Sequence, residues 1–468
     1  MTTSVVIVGG GIAAAAAAFE LTTSHRDDLR IDVITGPSLG GALQSTSVDD
    51  RHFDLGADGF LAKRPEARDF ICDLGLGNEL VDIAASGAWI YLDGQLNAIP
   101  TGMVLGVPTS LAQLRAVPAL SRAAMREAWR DRFLPRRLSL PDGDVAIGQI
   151  LRHKFGDHLT HEIIEPMLGG IHAGRVDELS AATVFPQLLT AARAGGSLMA
   201  AIAPPATPAS PGPAFQTLRG TMGSLAPRAF EILEGRGVSV RRGVIATKVR
   251  RTTAATRPFE VDTEETATPA DAVVVALGPR PLGQVAGHLH PHVARLADTP
   301  SASVAMVTFI VPAADVNLPE SGTGVLIPLL TPYRESRDSF ISTAVTFLDR
   351  KWPHVARPHS LLVRVHCGRI DDSRIAGLSD DELTRRVESE MAQLFGAWPR
   401  GSAVTVQRWT DALPQYRVGH GDLVAAARAA VQPEGIFLAG MLYDGVGIPA
   451  SIGSGRRAAR ELLARLPQ

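Results

Sequence analysis

Residues Val5 to Leu21, VVIVGGGIAAAAAAFEL, constrain this chain more than any other stretch. A short apolar run ends in three glycines and passes directly into an alanine-rich helical pattern. That is how a dinucleotide-binding strand–helix–strand unit begins. The run Val5–Val8 reads as a buried strand delivering Gly9, Gly10 and Gly11 into a tight turn. The following helix would aim its unpaired N–H groups and positive dipole end at a pyrophosphate. Gly9 permits the turn and Gly11 lets a phosphate approach the backbone. Ala14 stands at the third fingerprint position, which requires only a small residue. The second strand, Ile31–Ile34, should end in a carboxylate for the ribose hydroxyls. It ends in Thr35-Gly36, which offers a hydroxyl and no charge.

A chain of 468 residues is too long for one core and predicts two or three domains. A net charge of −2 provides no general attraction to nucleic acid. Cys72 and Cys367 are the only cysteines, which argues against a disulfide framework or a thiolate metal site. No His/Cys/Asp cluster has metal-ligand spacing, so no metal is expected. The N-terminus has no basic segment before its apolar stretch, and no run of about twenty apolar residues follows. The expected location is the cytoplasm.

Pro65–Leu76 reads as a helix stopped by Gly75 and Gly77, and 88–100 as a hairpin turning at Asp93-Gly94. Helical patterns fill 111–137 and 144–165. The first carries Arg115, Arg122, Arg126, Arg130, Arg132, Arg136 and Arg137. This face is either simply solvated or meets acidic lipid or an acidic partner. Residues 203–213, APPATPASPGP, read as a loop or domain junction. Strands are expected at Val238–Val240, Val244–Val249, Ala272–Leu277, 301–311, 338–348, 361–367 and Gly435–Gly440, with helices at 379–396 and Pro449–Leu466. The fold class is α/β: a discontinuous Rossmann-like dinucleotide domain (1–87, 214–280, 405–468), an α+β substrate domain (88–108, 281–404) and a helical insertion (109–213).

Several longer stretches carry a resemblance. They are FDLGADGFLAKRPEARDFICDLGLG from Phe53, EPMLGGIHAGRVDELSAATVFPQL from Glu165, TLRGTMGSL from Thr217, ALPQYRVGH from Ala412 and IFLAGMLYDGVGIPASIGSGRRAA from Ile436. In these the chain resembles, nearly end to end, the bacterial protoporphyrinogen/coproporphyrinogen oxidases of haem biosynthesis, within the FAD-dependent amine-oxidase-like superfamily. The resemblance implies FAD, held by Gly9, Gly10, Gly11 and Ile12 at the pyrophosphate. It also implies contacts from Gly40 and Gly41 beside the ribityl chain, and from Gly56, Ala57 and Asp58 near the isoalloxazine. Val244 would meet the adenine, and Trp409 would lie near the flavin. Val446, Gly447 and Ile448 would present backbone donors to its N1/O2 edge. Thr35 would stand at the ribose.

The implied reaction oxidises a porphyrinogen, preferably coproporphyrinogen III, to the porphyrin with O2, releasing H2O2. The cofactor carries that chemistry, so no catalytic side chain is expected. Lys63 and Arg64 are candidate cations for the substrate's propionates, or a solvated pair. Gly169, Gly170, Ile171 and His172 match a segment that lines the macrocycle site. His172 stands where relatives carry Tyr or Phe. Gly324–Pro328 forms either an apolar wall or a core strand. Thr35, Ser38 and Ala42 replace a Glu, an Arg and a basic residue common in the family. Each lost charged contact is worth on the order of 1–3 kcal/mol, so FAD should bind more weakly here than in relatives. Two alternatives stay open: a flavin oxidase recruited to an amine or secondary metabolite, and a flavin-poor binding paralogue. A peripheral membrane contact or a contact with another haem-pathway enzyme is a further expectation.

Overall fold

The computed structural model describes residues 2–24, 26–204, 212–253, 257–336, 338–399 and 403–466. The chain divides into two compact units. One comprises 1–82, 212–300 and 421–468; the other comprises 83–211 and 301–420.

The first unit is built on a five-stranded parallel sheet. Across it lie Ser239–Arg241, Leu29–Ile34, Thr3–Val8, Ala272–Val275 and Ile436–Leu438, which in chain order is 3-2-1-4-5. Alternate residues of the first strand serve opposite faces. Val5 and Ile7 join one core with Phe19, Phe230 and Ile452, while Val6 and Val8 join another with Leu282, Val285 and Val424. Burial on both faces explains why these strands read as unbroken apolar runs rather than as alternation. The alanine-rich helix Ile12–Thr22 packs against the C-terminal helix Ile448–Leu463. A Cβ on Gly455 would lie 2.1 Å from the Ala13 carbonyl oxygen, so the alanines and this glycine allow backbone-to-backbone approach.

The second unit holds a seven-stranded sheet ordered Ala403–Pro414, Ser301–Pro312, Ser360–Cys367, Ser342–Phe347, Gly324–Leu326, Trp89–Leu92 and Gln95–Ala98. All its pairings are antiparallel except Gly324–Leu326 with Trp89–Leu92. The helix Asp380–Phe395 covers it with Leu383, Val387 and Met391 against Phe309, Val363 and Val365. Ser379 and Glu382 form a reciprocal capping box at its start, as that sequence pattern dictates. A second core belongs to helices, among them Arg122–Phe133, Ile147–Leu159 and Glu165–His172.

Several expectations shift. The helical insertion is not a unit of its own: 109–204 falls within the second unit with the sheet. Residues 281–300, expected in the substrate domain, belong to the first unit as the helices Pro279–Ala286 and Pro291–Ala297. Residues 405–420, expected in the dinucleotide domain, belong to the second unit, because Ala403–Pro414 pairs along Ser301–Pro312. The helical pattern at 111–137 is broken into Leu111–Arg115 and Arg122–Phe133 on either side of Pro118, which cannot continue a helix. Most of the expected junction, 205–211, lies outside the described residues.

Candidate active site

All five parallel strands run out into glycine at their carboxyl ends: Gly9, Gly36, Gly243, Gly278 and Gly440. In open parallel sheets, ligands bind at that edge, where the strand order reverses. Here it reverses beside Thr3–Val8. Gly9 sits there at φ 136°, and a Cβ on it would lie 2.4 Å from the Ala276 carbonyl oxygen. No other residue fits. The loop after the second strand returns to the same turn. Gly40 N–H donates to the Gly10 carbonyl at 2.8 Å, and Gly40 bridges to Gly11. Around Gly36, Gly243, Gly278 and Gly447 the space a Cβ would take is open: apart from the adjoining backbone, no atom of the described residues lies within 4 Å of it.

Two helix N-termini serve this edge. Ala13 meets Gly455, and further along Glu20 meets Arg456 and Arg460. The two helices therefore run in the same direction. The C-terminal helix starts about 9 Å further out, from the residues each has in hand before the contact. Two sets of N–H donors, spaced along one edge, suit a long ligand that is anionic at two places. Gly447, at φ 106°, precedes the C-terminal helix, and Pro449 in its first turn has no N–H to leave unpaired.

A carboxylate that was not foreseen holds this second N-terminus in place. Asp444 accepts from Arg428 at 2.6 Å, from Arg457 at 3.0 Å and from the Ser454 hydroxyl, whose oxygen in turn accepts the Gly440 N–H at 2.9 Å. Burial raises the Asp444 carboxyl. The Arg428, Ser454 and Arg457 contacts outweigh it and hold the group below the usual carboxylate range. Asp54 was also missed. It is buried and accepts the Met222 and Gly223 N–H groups at 3.1 and 2.7 Å, tying the Gly56–Asp58 loop to the TLRGTMGSL segment. The partners of Asp54 lie more than 160 residues along the chain, and those of Asp444 come from two separate helices on either side of it, so no short pattern reveals either.

The other first-unit residues divide. Ile12 is buried as the first helical residue, and Val244 is half-buried in the turn before the strand Ala246–Arg251, not on it. Gly41 is exposed, 3.5 Å from the Gly11 Cα by its Cβ direction. Thr35 is fully buried, and its hydroxyl lies within reach of the Gly36 and Arg241 carbonyls at 3.2 and 3.3 Å. Its hydroxyl is thus turned toward the carbonyls where two strands of the sheet end. Val446 and Gly447 lie in the loop before the C-terminal helix. Lys63 is exposed and forms no ion pair among the described residues, whereas Arg64 is held by Glu66 at 3.0 Å.

In the second unit, a cleft of roughly 360 Å³, including its open mouth, lies beside the helix Glu165–His172. Gly169 and Gly170 line it with Ile327, Leu329, Glu165 and Arg369. Gly169 is required, because a Cβ would stand 2.9 Å from the Gly174 carbonyl oxygen. Arg369 is its cation and was not foreseen; burial pulls its guanidinium down from the ordinary value, against the nearby Asp371, Asp372 and Glu165. Glu165 is 2% exposed. Its Oε2 meets His161 Nδ1 at 3.3 Å, but its Oε1 has no hydrogen bond, with Arg175 Nε 3.8 Å away. Of the expected substrate residues, Gly170 lines the cleft while Ile171 and His172 do not. Ile171 is half exposed. His172 is buried against Tyr416, its Nδ1 has no partner, and burial pulls its imidazole down to about 4. It is therefore neutral at neutral pH. Ile327 puts one member of the Gly324–Pro328 stretch in the wall. Trp409 is half-buried on the strand Ala403–Pro414, packed near Ala302 and Val304.

Residues 16–463 match the model of the flavin containing amine oxidoreductases. The chain belongs to that family. It is an FAD-dependent oxidoreductase, and the glycine edge with two helix N-termini fits that cofactor. The coproporphyrinogen III oxidase of Mycobacterium leprae is 31% identical over 454 residues, 96% of each chain. That of Bacillus subtilis is 29% identical over 445 residues, 93% of this chain and 91% of the relative. A solved protein of Exiguobacterium, described as a protoporphyrinogen oxidase candidate, superposes with a TM-score of 0.85 at 29% identity over the whole of both chains.

Proposed function

We propose that this flavoenzyme oxidises coproporphyrinogen III to coproporphyrin III in haem biosynthesis, with O2 as the terminal acceptor and H2O2 as its product. The end-to-end likeness to coproporphyrinogen III oxidases at up to 31% identity carries this reading. FAD, when bound, supplies the hydride acceptor that the side chains lack. The chain's own groups bind and orient. Gly9, Gly10, Gly11 and Ile12, opening the first helix, hold the pyrophosphate. Gly40, Gly41, Gly56, Ala57, Asp58 and Val244 shape the rest of the cofactor's bed, and Trp409 serves the flavin. Val446, Gly447 and Ile448 offer donors held in place by the Asp444 clamp.

On the substrate side, Arg369 pairs with a propionate, and Lys63 is the better of the two first-unit candidates because Glu66 occupies Arg64. Ile327 and Leu329 keep water from the ring face, and Gly169 and Gly170 leave it room. Glu165 Oε1, unpartnered, is an acceptor for a pyrrole N–H. Positioning and exclusion of water are the contributions such chemistry asks of a protein.

The test is growth of porphyrin fluorescence by the flavin-loaded enzyme with coproporphyrinogen III, set against protoporphyrinogen IX. Faster growth with the first is expected. No gain with either substrate overturns the assignment.

A further inference from the structure

We propose that Glu165 and His161 form a proton exit leading from the second-unit cleft to solvent, an inference that rests on the porphyrinogen reading above. Each round of oxidation removes two hydrogens from the macrocycle. One leaves a bridging carbon as hydride, with both electrons of its C–H bond, for the flavin. The other leaves a pyrrole nitrogen as a proton, and the N–H electron pair stays in the ring. One O2 per round takes up the hydride equivalent and one proton from solvent to give H2O2. The proton freed at the ring therefore has to reach solvent.

Glu165 is the group placed to take it. It is the only carboxylate among the described residues that line the cleft. Arg369 is a cation, and the Thr343 hydroxyl is bonded to the His366 carbonyl at 3.2 Å. Glu165 Oε1 is buried without a hydrogen bond. Arg175, the nearest cation, is drawn to Asp371 at 2.6 Å and also faces Asp177 at 4.0 Å, so its Nε stays 3.8 Å from Oε1. An unpaired buried acceptor gains most from an incoming N–H.

The other carboxyl oxygen leads outward. Oε2 meets His161 Nδ1 at 3.3 Å, and the His161 side chain is 35% exposed where that of Glu165 is 2%. Residues four apart are neighbours on a helical surface. His161 sits in a single π turn, Thr160–Ile164, that runs straight into the helix Glu165–His172. Such turns are rare and recur at functional sites. The adjacent acid is committed elsewhere: Glu162 accepts the Ser121 N–H at 2.9 Å and stands 3.7 Å from His158. A bond of 3.3 Å is long, and Oε1 is untied, so the carboxyl group is free to turn and exchange its oxygens. A proton taken at Oε1 is then handed from Oε2 to Nδ1, and Nε2 releases one to water. Imidazole suits this step because one nitrogen gains a proton as the other gives one up. Glu165 is the base, and His161 is a positioning residue that acts through it.

The experiment is flavin reduction by coproporphyrinogen III in the absence of O2, followed in the flavin-loaded full chain as loss of flavin absorbance. His161→Ala should slow it about tenfold, while coproporphyrin III binding, read by fluorescence titration, stays unchanged. Imidazole added to the buffer should restore the rate, since the gap left by the side chain opens to solvent. Glu165→Gln should slow reduction about a hundredfold, and imidazole should not restore it. An unchanged rate in either variant overturns the exit. A slowed His161→Ala that ignores imidazole overturns it too, because the ring would then serve only helix packing. In these cases a parent enzyme that still forms coproporphyrin leaves the substrate assignment standing. A parent whose flavin is reduced by neither porphyrinogen overturns both.

Discussion

Replacing His172 with phenylalanine should remove an acid sensitivity built into the second unit. The imidazole is 8% exposed, has no partner for Nδ1, and is pulled down by burial to about 4. In the unfolded chain its pKa returns to about 6.5. The folded value is the lower one, so the unfolded chain binds the proton more tightly. The stability tied to the neutral ring is therefore fully present above the unfolded value and is lost as pH falls through the window down to about 4. Between about pH 7.5 and pH 5 that loss comes to about 2 kcal/mol, and below the folded value it reaches about 3 kcal/mol. The substitution also removes an unsatisfied nitrogen and adds volume, effects of opposite sign and about 1–3 kcal/mol each. Neither depends on pH, so both cancel when the comparison is made across pH. The backbone tie survives, since Gln415 Nε2 donates to the residue's carbonyl at 2.8 Å. The assay is urea unfolding of parent and His172→Phe at both pH values. The parent should lose about 2 kcal/mol more than the variant on acidification. Equal losses would refute the view that this ring is held neutral by burial.

The clamp on the C-terminal loop predicts that Asp444→Asn weakens FAD binding about tenfold, because Arg428 and Arg457 lose a shared anion and the loop before Ile448 loosens. Fluorescence titration of apoprotein with FAD checks this, and an unchanged Kd counts against the clamp. Arg369→Ala should raise KM for coproporphyrinogen III about tenfold or more with kcat less affected, as loss of a uniform binding contact does. A fall in kcat alone would contradict that role. With Thr35 turned into the sheet and no charge at Ser38 or Ala42, the purified chain should contain a measurable apo fraction; the ratio of flavin to protein absorbance reads it, and full occupancy at nanomolar affinity would contradict it.

The parallel sheet and its glycine edge were legible because each rests on local chemistry. Val5–Val8 and Ala272–Val275 are apolar on both faces, and glycine at φ 136° has no substitute at position 9. The hairpin at 89–98 was legible for the same reason: Asp93 and Gly94 both take the positive φ its tight turn needs. What stayed hidden was set by contacts that only the fold creates. Arg369 follows a strand as an ordinary CGRI tetrapeptide, and only the fold brings it to Gly169 and Ile327. Asp444 looks like one loop acid among many until Arg428 and Arg457 converge on it. The division of the chain was misjudged at 281–300 and 405–420 on the same ground. The strand Ala403–Pro414 has little apolar signal of its own, with several half-exposed positions, and takes its place from its pairing with Ser301 to Ile310 alongside. Thr35 marks the converse limit. Its place in the motif was readable, yet the direction of its hydroxyl depended on the Arg241 carbonyl of a strand more than two hundred residues away. A fingerprint position therefore tells where a ligand group comes close, while the side chain's partner is decided by whichever strand the topology sets beside it.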